Sequence, residues 1–224
     1  IDAARAQAEQ VRQWVRGTKD YFKPIERLPT GQLTDASFAG AMHQTISQLQ
    51  READAGSVSL PPGYNFSFQA QSDKVRFAPG SLDKLAVQLG EVKTITEMLY
   101  GAHINALEGI QRLRVSEDDT LSTAADYIDE PVTTTELGTL TPYQVTFRGF
   151  SSEIAQVLQA LATSPHGFVV KTVSVQPAVA TFGGTDMATP PVPTPAGRGP
   201  QMLLTEQMLR VTMMIEIVKL TPGR

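Results

Sequence analysis

Three histidines are the side chains best suited to binding a metal or moving a proton: His43, His103 and His166. They are far apart in the chain, and none has a second ligand at the short spacing of a metal-binding motif. The sequence also contains no cysteine, which excludes disulfides, thiolate metal sites and cysteine nucleophiles. We interpret the histidines as surface or capping residues and expect no metal and no cofactor.

Residues 116–140 form an acidic segment that is rich in threonine. Its carboxylates, from Glu117 to Glu130, could suggest a calcium site, but they lack the alternate-residue spacing and the sharp-turn glycine of an EF-hand loop. Adjacent carboxylates such as Asp118 and Asp119 face different ways on any regular element, which argues against general acid–base catalysis. We therefore expect a solvated, mutually repelling loop.

Glycine-rich and serine-rich stretches also lack the context that catalysis needs. Gly183 and Gly184 precede neither a Lys-Ser/Thr pair nor a helix, so they do not form a phosphate cradle. No G-x-S-x-G motif occurs, and the Ser/Thr-rich stretches have no partnering histidine nearby in sequence. No catalytic residue is assigned, and the chain is expected to be a binding or assembly module rather than an enzyme.

Composition narrows the class of protein further. The chain has 224 residues, 41% of them hydrophobic and 19% charged, which is ordinary for a globular protein. The net charge of −4 argues against a nucleic-acid partner, which would favour a basic face. No apolar run approaches the roughly 20 residues that span a bilayer. Because the chain starts with Ile1, we expect that an N-terminal segment is missing.

The first 20 residues have a helical pattern whose apolar side chains repeat at heptad spacing, with Val11 and Val15 in the seam and Trp14 beside it. Two alternatives remain open. The helix either packs on its own domain or ends a longer coiled coil through which the chain meets a partner. Residues 21–63 are predicted to be a linker and an accessory helix that begins near Asp35.

Residues 64–220 predict a domain with two β-α-β units. The first unit is a strand at 64–68, a helix from residue 82 to 102 and a strand at 107–115; the second spans residues 143–175. A Pro/Gly-rich loop at 183–200, expected to be mobile, precedes a long apolar strand. The order predicts an α+β fold with a ferredoxin-like β-α-β-β-α-β antiparallel sheet and both helices on one face. The last strand should extend the sheet or pair with the strand at 168–175.

The predicted core consists of apolar residues from these strands and helices. They are Phe66, Phe68, Leu85, Leu89, Val145, Phe147, Leu158, Leu161, Val173, Val211, Met213 and Ile215.

The run YQVTFRGFSSEIAQVLQALATSPHGFVVKTVSV, followed by a Pro/Gly-rich loop and the strand MLRVTMMIEIVKL, resembles the periplasmic domains of PilO/GspM-like proteins. These belong to the inner-membrane assembly platforms of type IV pili and type II secretion systems. The resemblance is closest to pilus-locus variants with a Pro-rich insertion before the last strand. It implies a membrane-spanning helix, absent here, then a coiled coil and a ferredoxin-like domain that dimerises, with no catalytic residues.

The expected function is therefore that of a non-enzymatic, structural part of a bacterial envelope pilus or secretion system. The resemblance implies a homodimer, or a heterodimer with related platform proteins, on the periplasmic side of an inner-membrane anchor. Candidate contact residues lie in the heptad seam and the last strand: Val11, Trp14, Val15, Leu209, Val211, Met213 and Ile215. Two alternatives remain: an exported surface protein that binds extracellular or host partners, and a ligand-binding α+β domain with its site under loop 183–200.

Overall fold

The computed structural model describes residues 5, 7, 9, 10, 17, 23–121, 124–135, 138–178 and 207–220. Its helices are α1 (Asp35–Ala55), α2 (Gln69–Ser72), α3 (Leu82–Gly101) and α4 (Ser151–Thr163). Its strands are β1 (Ala106–Leu113), β2 (Tyr127–Ile128), β3 (Thr133–Thr134), β4 (Gly138–Gly149), β5 (Phe168–Pro177) and β6 (Leu209–Leu220). Two 3-10 turns, Glu117–Leu121 and Ala124–Asp126, lie between β1 and β2. The predicted loop 183–200 lies outside the described residues.

Helix α1 begins at Asp35, as predicted, but Asp35 is not its capping residue. The N-cap is Thr34, whose hydroxyl accepts a hydrogen bond from the amide of Ser37 at 3.1 Å, while the amide of Thr34 donates to Ser37 Oγ at 2.8 Å. Asp35 instead accepts a bond from the amide of Phe77 at 3.1 Å. The apolar stripe of this helix is buried in the same core as α3 and the sheet.

The chain ahead of α1 packs directly on α3. The amide of Leu28 donates to the carbonyl of Ala86 at 2.9 Å. At Gly90 a side chain would collide with the carbonyl of Glu26, so glycine is required for this close approach. Residues 23–33 are thus held against the fold.

The prediction of a strand at residues 64–68 is wrong. The segment forms turns, with Phe66 and Ser67 at positive φ, before the short helix α2. Its side chains bond to the backbone of β1: Tyr64 Oη accepts from the amide of Ile110 at 2.6 Å, and Ser67 Oγ donates to the Ile110 carbonyl. Phe66 and Phe68 are nevertheless buried, as predicted. The alternating aromatic residues therefore do not indicate a strand; Phe66 and Phe68 pack this turn against the core.

The α+β class is confirmed, but the first predicted strand does not form. The element order from α3 onward is α-β-β-β-β-α-β-β, in which β2 and β3 have only two residues each. The sheet order is β2-β1-β4-β6-β5, with β3 also paired to β4. All of these pairs are antiparallel except β1–β2. Strand β6 pairs with β5, as predicted, and along its whole length with β4, from Gly138–Leu220 to Gly149–Leu209. The last strand of the chain is therefore an interior strand of the sheet, between β4 and β5.

One face of the sheet forms the core with the helices. Tyr143, Val145 and Phe147 of β4 alternate inward and join residues of α1, α3 and α4 in one hydrophobic cluster. Ten of the twelve predicted core residues are buried. The two exceptions are Leu158 and Val173, which are 38% and 41% exposed. Both lie where α4 and β5 reach the margin of the fold.

Candidate functional site

Strand β5 forms one edge of the sheet. It pairs with β6 on one side, and within the parts of the chain that the structure describes no strand pairs with its other side. The side chains of β5 are mostly exposed, apart from Phe168 and Val170, which pack against the core. An edge strand of this length presents unpaired backbone donors and acceptors that another chain can complete.

Apolar side chains cluster along this edge. Val173 and Val175 lie opposite Met213 and Val211 of β6, so they lie on the face that carries α4. They are exposed because α4 buries only Val157 and Leu161. Val169 lies opposite Glu216, on the other face of the same edge. We define the β5 edge surface as Leu158 of α4 with Val173 and Val175 of β5 on the α4 face and Val169 on the other face, which are 38%, 41%, 48% and 41% exposed.

The N-terminal segment joins the fold beside this surface. The amide of Lys23 donates to the carbonyl of Pro165 at 2.8 Å, and the Lys23 carbonyl lies 2.7 Å from His166 Nδ1. Pro165 and His166 connect α4 to β5. Lys23 is therefore held at the beginning of the edge strand.

The residues proposed from sequence as contacts lie elsewhere. Val211, Met213 and Ile215 are buried in an interior strand of the sheet, so they cannot present a free surface in this fold. Leu209 is half-buried and paired with both neighbouring strands. Val11, Trp14 and Val15 are outside the described residues. The apolar pattern of β6 reflects burial between two strands rather than a contact surface.

A buried ion pair dominates the electrostatics of the interior. Arg112 and Asp119 are both fully buried, and the two guanidinium nitrogens Nη1 and Nη2 lie 3.2 and 2.8 Å from the two carboxylate oxygens. Arg112 Nε donates to the Ser67 carbonyl at 3.0 Å, and Arg112 Nη1 donates to Gln88 Oε1 at 2.8 Å. The guanidinium also lies over the ring of Phe68 at 4.6 Å.

The carboxylate of Asp119 is equally well bonded. It accepts hydrogen bonds from the amides of Val115 and Ser116 at 2.8 and 3.0 Å and from the hydroxyl of Tyr127 at 3.0 Å. Burial alone would raise the pKa of Asp119, but the hydrogen bonds and charge of Arg112 outweigh burial and lower it. Both charged groups are occupied by hydrogen bonds within the fold, and the role of the pair is to fix the loop.

The acidic segment is therefore not simply a solvated loop. Asp118 lies 2.5 Å from Lys74 Nζ and accepts a bond from the amide of Ala78 at 3.1 Å. Burial would raise the pKa of Asp118, but the contacts with Lys74 and this amide lower it. Among the described residues no three histidine or carboxylate side chains are grouped as metal ligands. His43 and His103 are exposed, and His166 is half-buried.

A second buried carboxylate belongs to α3 and faces the sheet. Glu91 is 1% exposed; its Oε1 lies 2.6 Å from Lys219 Nζ, and its Oε2 accepts a bond from the hydroxyl of Tyr143 at 2.5 Å. Burial and the adjacent negative charge of Glu91 raise the pKa of Tyr143, so the phenol stays protonated as a donor. The group links α3 to β4 and β6.

Sequence analysis missed both buried charged groups. The alternation of side chains along β1 indicates the first group. Leu107 and Ile110 pair with inward-facing residues of β4. Arg112, two residues after Ile110, therefore also faces the core. An arginine at an inward strand position needs a buried carboxylate. Asp119 was the acidic residue to consider, because it follows within a short loop.

Comparisons with known proteins point to one family. A family model described as pilus-like matches residues 2–181. No curated protein matches the chain. No helix in the described ranges is both long enough and apolar enough to cross a membrane.

Several solved structures share the fold at low identity. A protein of Akkermansia muciniphila, solved without its transmembrane region, superposes with a TM-score of 0.62 at 11% identity, over 93% of this chain and 96% of that one. A core domain of a protein from Akkermansia muciniphila superposes with a TM-score of 0.60 at 13% identity, over 92% of this chain and 98% of that one.

The type 4 fimbrial biogenesis protein PilO of Pseudomonas aeruginosa aligns at 13% identity, over 79% of this chain and 98% of that one. Its TM-score of 0.36 is too low to show a common fold. The family match, by contrast, covers most of the sequence. This chain therefore belongs to a pilus-like family of proteins.

Proposed function

We propose that this chain is a non-enzymatic structural component of a pilus or related secretion assembly in the bacterial cell envelope, and that it acts by binding other protein chains. The observation that carries the proposal is the β5 edge surface. Family membership supports the association with pili and a location in the envelope or at the cell surface. The well-bonded interior charges support a structural role.

A second copy of the chain is the first partner that this surface suits. An exposed strand edge is complementary to itself, because two such strands related by a twofold axis pair in antiparallel fashion. The exposed side chains beside it would then be buried in the pair. Related platform proteins with the same edge would fit in a heterodimer by the same geometry.

The energetics favour a weak pair. Each copy would bury the exposed part of four apolar side chains, worth about 1 kcal/mol each. Association costs roughly 4–15 kcal/mol in lost translational and rotational freedom. Burial of the β5 edge surface alone therefore does not stabilise a tight dimer. The N-terminal segment could add to the contact, because it attaches to the fold at Lys23, beside the start of β5.

The resemblance to PilO/GspM-like proteins supports a periplasmic domain behind an inner-membrane anchor. In that arrangement the membrane would restrict two copies to a plane and raise their effective concentration. A weak edge contact would then be sufficient in the cell.

The test is the association of the whole chain measured by sedimentation velocity over a concentration series. Val173→Glu and Val175→Glu, separately and together, place a charge beside the edge strand without touching the core. We expect the dimer dissociation constant to rise at least about tenfold in the double variant, since charges on an edge oppose strand pairing.

Val75→Glu is the matched control. Val75 is also an exposed valine, at 76%, but it lies between α2 and α3 and away from β5. It should leave association unchanged. A wild-type chain that remains monomeric at high concentration, or equal association of all variants, would contradict the proposed contact.

A further inference from the structure

A cavity of about 530 Å³ opens between the first half of α3 and the ends of β1, β4 and β6. It shares no lining residue with the β5 edge surface. Its size falls within the range of about 300–1,000 Å³ that holds small molecules. The walls are largely apolar, from Val87, Leu113, Val115, Val132 and Leu220.

The polar side chains of the cavity differ in depth: neutral ones are buried and charged ones are more exposed. Gln88 and Thr141 are buried at its floor, and both bonds of the Gln88 amide are used, to the Leu113 carbonyl and to Arg112. Lys84 and Lys219 are more exposed and lie at the rim. The floor therefore offers no free charge, and the rim carries the cationic groups. This arrangement suits a ligand with an apolar body and a charged end.

The charge at the rim is positive on balance. Asp83 also lines the cavity, but Arg27 Nη1 lies 3.0 Å from its carboxylate. Lys219 is matched by the buried Glu91. The side-chain ammonium of Lys84 has no hydrogen bond or ion pair with any other residue that the structure describes. Its charge is therefore left unbalanced at the mouth.

The backbone of α3 adds to this field. Asp83 and Lys84 belong to its first turn, and no side chain caps the amides of that turn. The N-terminus of a helix carries a partial positive charge and free amide donors. A negatively charged group at the rim would meet both the ammonium of Lys84 and this end of the helix.

We propose that the cavity binds a single-chain amphiphile with an anionic head group, such as a fatty carboxylate. The alkyl chain would lie along the walls from Val87 to Leu113, and the head group would lie at the rim near Lys84. Lys219 would remain on Glu91 and form the far side of the entrance.

Dodecanoate is the test probe, titrated below its micelle concentration into the intact 224-residue chain by isothermal calorimetry. We expect saturable one-to-one binding. Acetate, which carries the head group alone, should give no heat of binding. Dodecyltrimethylammonium, which has the same chain and the opposite charge, should bind at least about tenfold more weakly.

Two variants locate the ligand. Lys84→Glu, at an exposed position, should weaken dodecanoate about tenfold and strengthen the cationic probe, because it reverses the free charge at the rim. Val87→Trp should fill the cavity and abolish binding of both probes. Lys23→Glu is the matched control, since Lys23 is exposed and lies beside Pro165; binding should not change.

The failures are equally distinct. No saturable binding of dodecanoate, or equal affinity of Lys84→Glu and wild type, would overturn the proposal. Equal binding of the anionic and cationic probes would show an unselective apolar groove and would also overturn it. Affinity that falls as protein concentration rises would mean that a second copy covers the cavity instead. None of these results depends on the β5 edge.

Discussion

Arg112 and Asp119 are both inaccessible to solvent, and their ion pair holds the loop after β1 against α2 and α3. Removal of one partner leaves the other charge buried and uncompensated, which typically costs about 3–5 kcal/mol. The pair also links stability to pH. The pKa of Asp119 is lower in the folded chain than in the unfolded one, so the folded state binds the proton less readily.

Asp119→Asn should lower the free energy of unfolding at pH 7 by about 3–5 kcal/mol. The contribution of the wild-type carboxylate is complete above the unfolded-state pKa of about 3.9 and is lost as pH falls through the folded pKa. The variant should therefore lose less stability than wild type on acidification below about pH 4. Denaturant unfolding at a series of pH values measures both effects.

Asp129→Asn is the control, because Asp129 is 91% exposed and pairs with Arg114 only at the surface. Its effect at pH 7 should stay below about 1 kcal/mol. Equal losses in the two variants would show that burial of the Arg112 pair does not decide the cost.

Phe147 tests the register of β4. Its side chain is fully buried, whereas the next residue, Arg148, points to the opposite face and pairs with Glu108 at 2.9 Å. Phe147→Ala should cost about 3–5 kcal/mol by opening a cavity. Arg148→Ala should cost under about 1 kcal/mol. Denaturant midpoints of the two variants are the measurement, and similar shifts would contradict this register.

At the scale of elements, a long insertion joins β5 to β6. The two strands do not depend on it for their position in the sheet. The amide of Ala178 donates to the carbonyl of Met208 at 2.9 Å, so the chain leaves and re-enters the sheet at adjacent points. A short connection can therefore replace a long one without moving either strand. Loop-closure entropy changes slowly with length, which makes the exchange inexpensive.

Replacement of residues 183–200 by a short Gly/Ser linker should leave the melting temperature within a few degrees of wild type. Circular dichroism melts of the two chains are the comparison. A large fall in melting temperature would show that this segment packs on the fold. That result would favour the alternative of a ligand site under the loop.

At the scale of the whole molecule, the described residues share one hydrophobic core that runs from α1 to the sheet, and the described contacts of the N-terminal part begin at Lys23. Residues that precede it can be removed without loss of these contacts. Two heptads are also too short to hold helices together in water by themselves. Association should therefore depend on both the N-terminal segment and the β5 edge surface.

Deletion of residues 1–20 should raise the dimer dissociation constant about tenfold without changing the melting temperature. Sedimentation velocity and thermal melts of the shortened and full chains give the two quantities. An unfolded product would show that the segment belongs to the core. Unchanged association would assign the whole contact to the folded domain.

The sequence by itself determined the local features of this protein. Period-two alternation predicts β4 and β6, the three- and four-residue steps predict α1, α3 and α4, and the absence of cysteine excludes thiolate chemistry. These signals depend only on which side chains recur on one face. They are strongest for long elements, where many residues repeat the same period.

Only the tertiary structure decided which apolar strand is buried and which is free. Strand β5 is rich in valine and β6 in valine, isoleucine and methionine, yet β6 lies between two strands and β5 lies at the edge. The partner of Arg112, the turn at Phe66 and the cavity beside α3 likewise arise from segments that are distant in sequence. Long-range pairing settles such features, because local periodicity is the same for a strand with one neighbour and a strand with two.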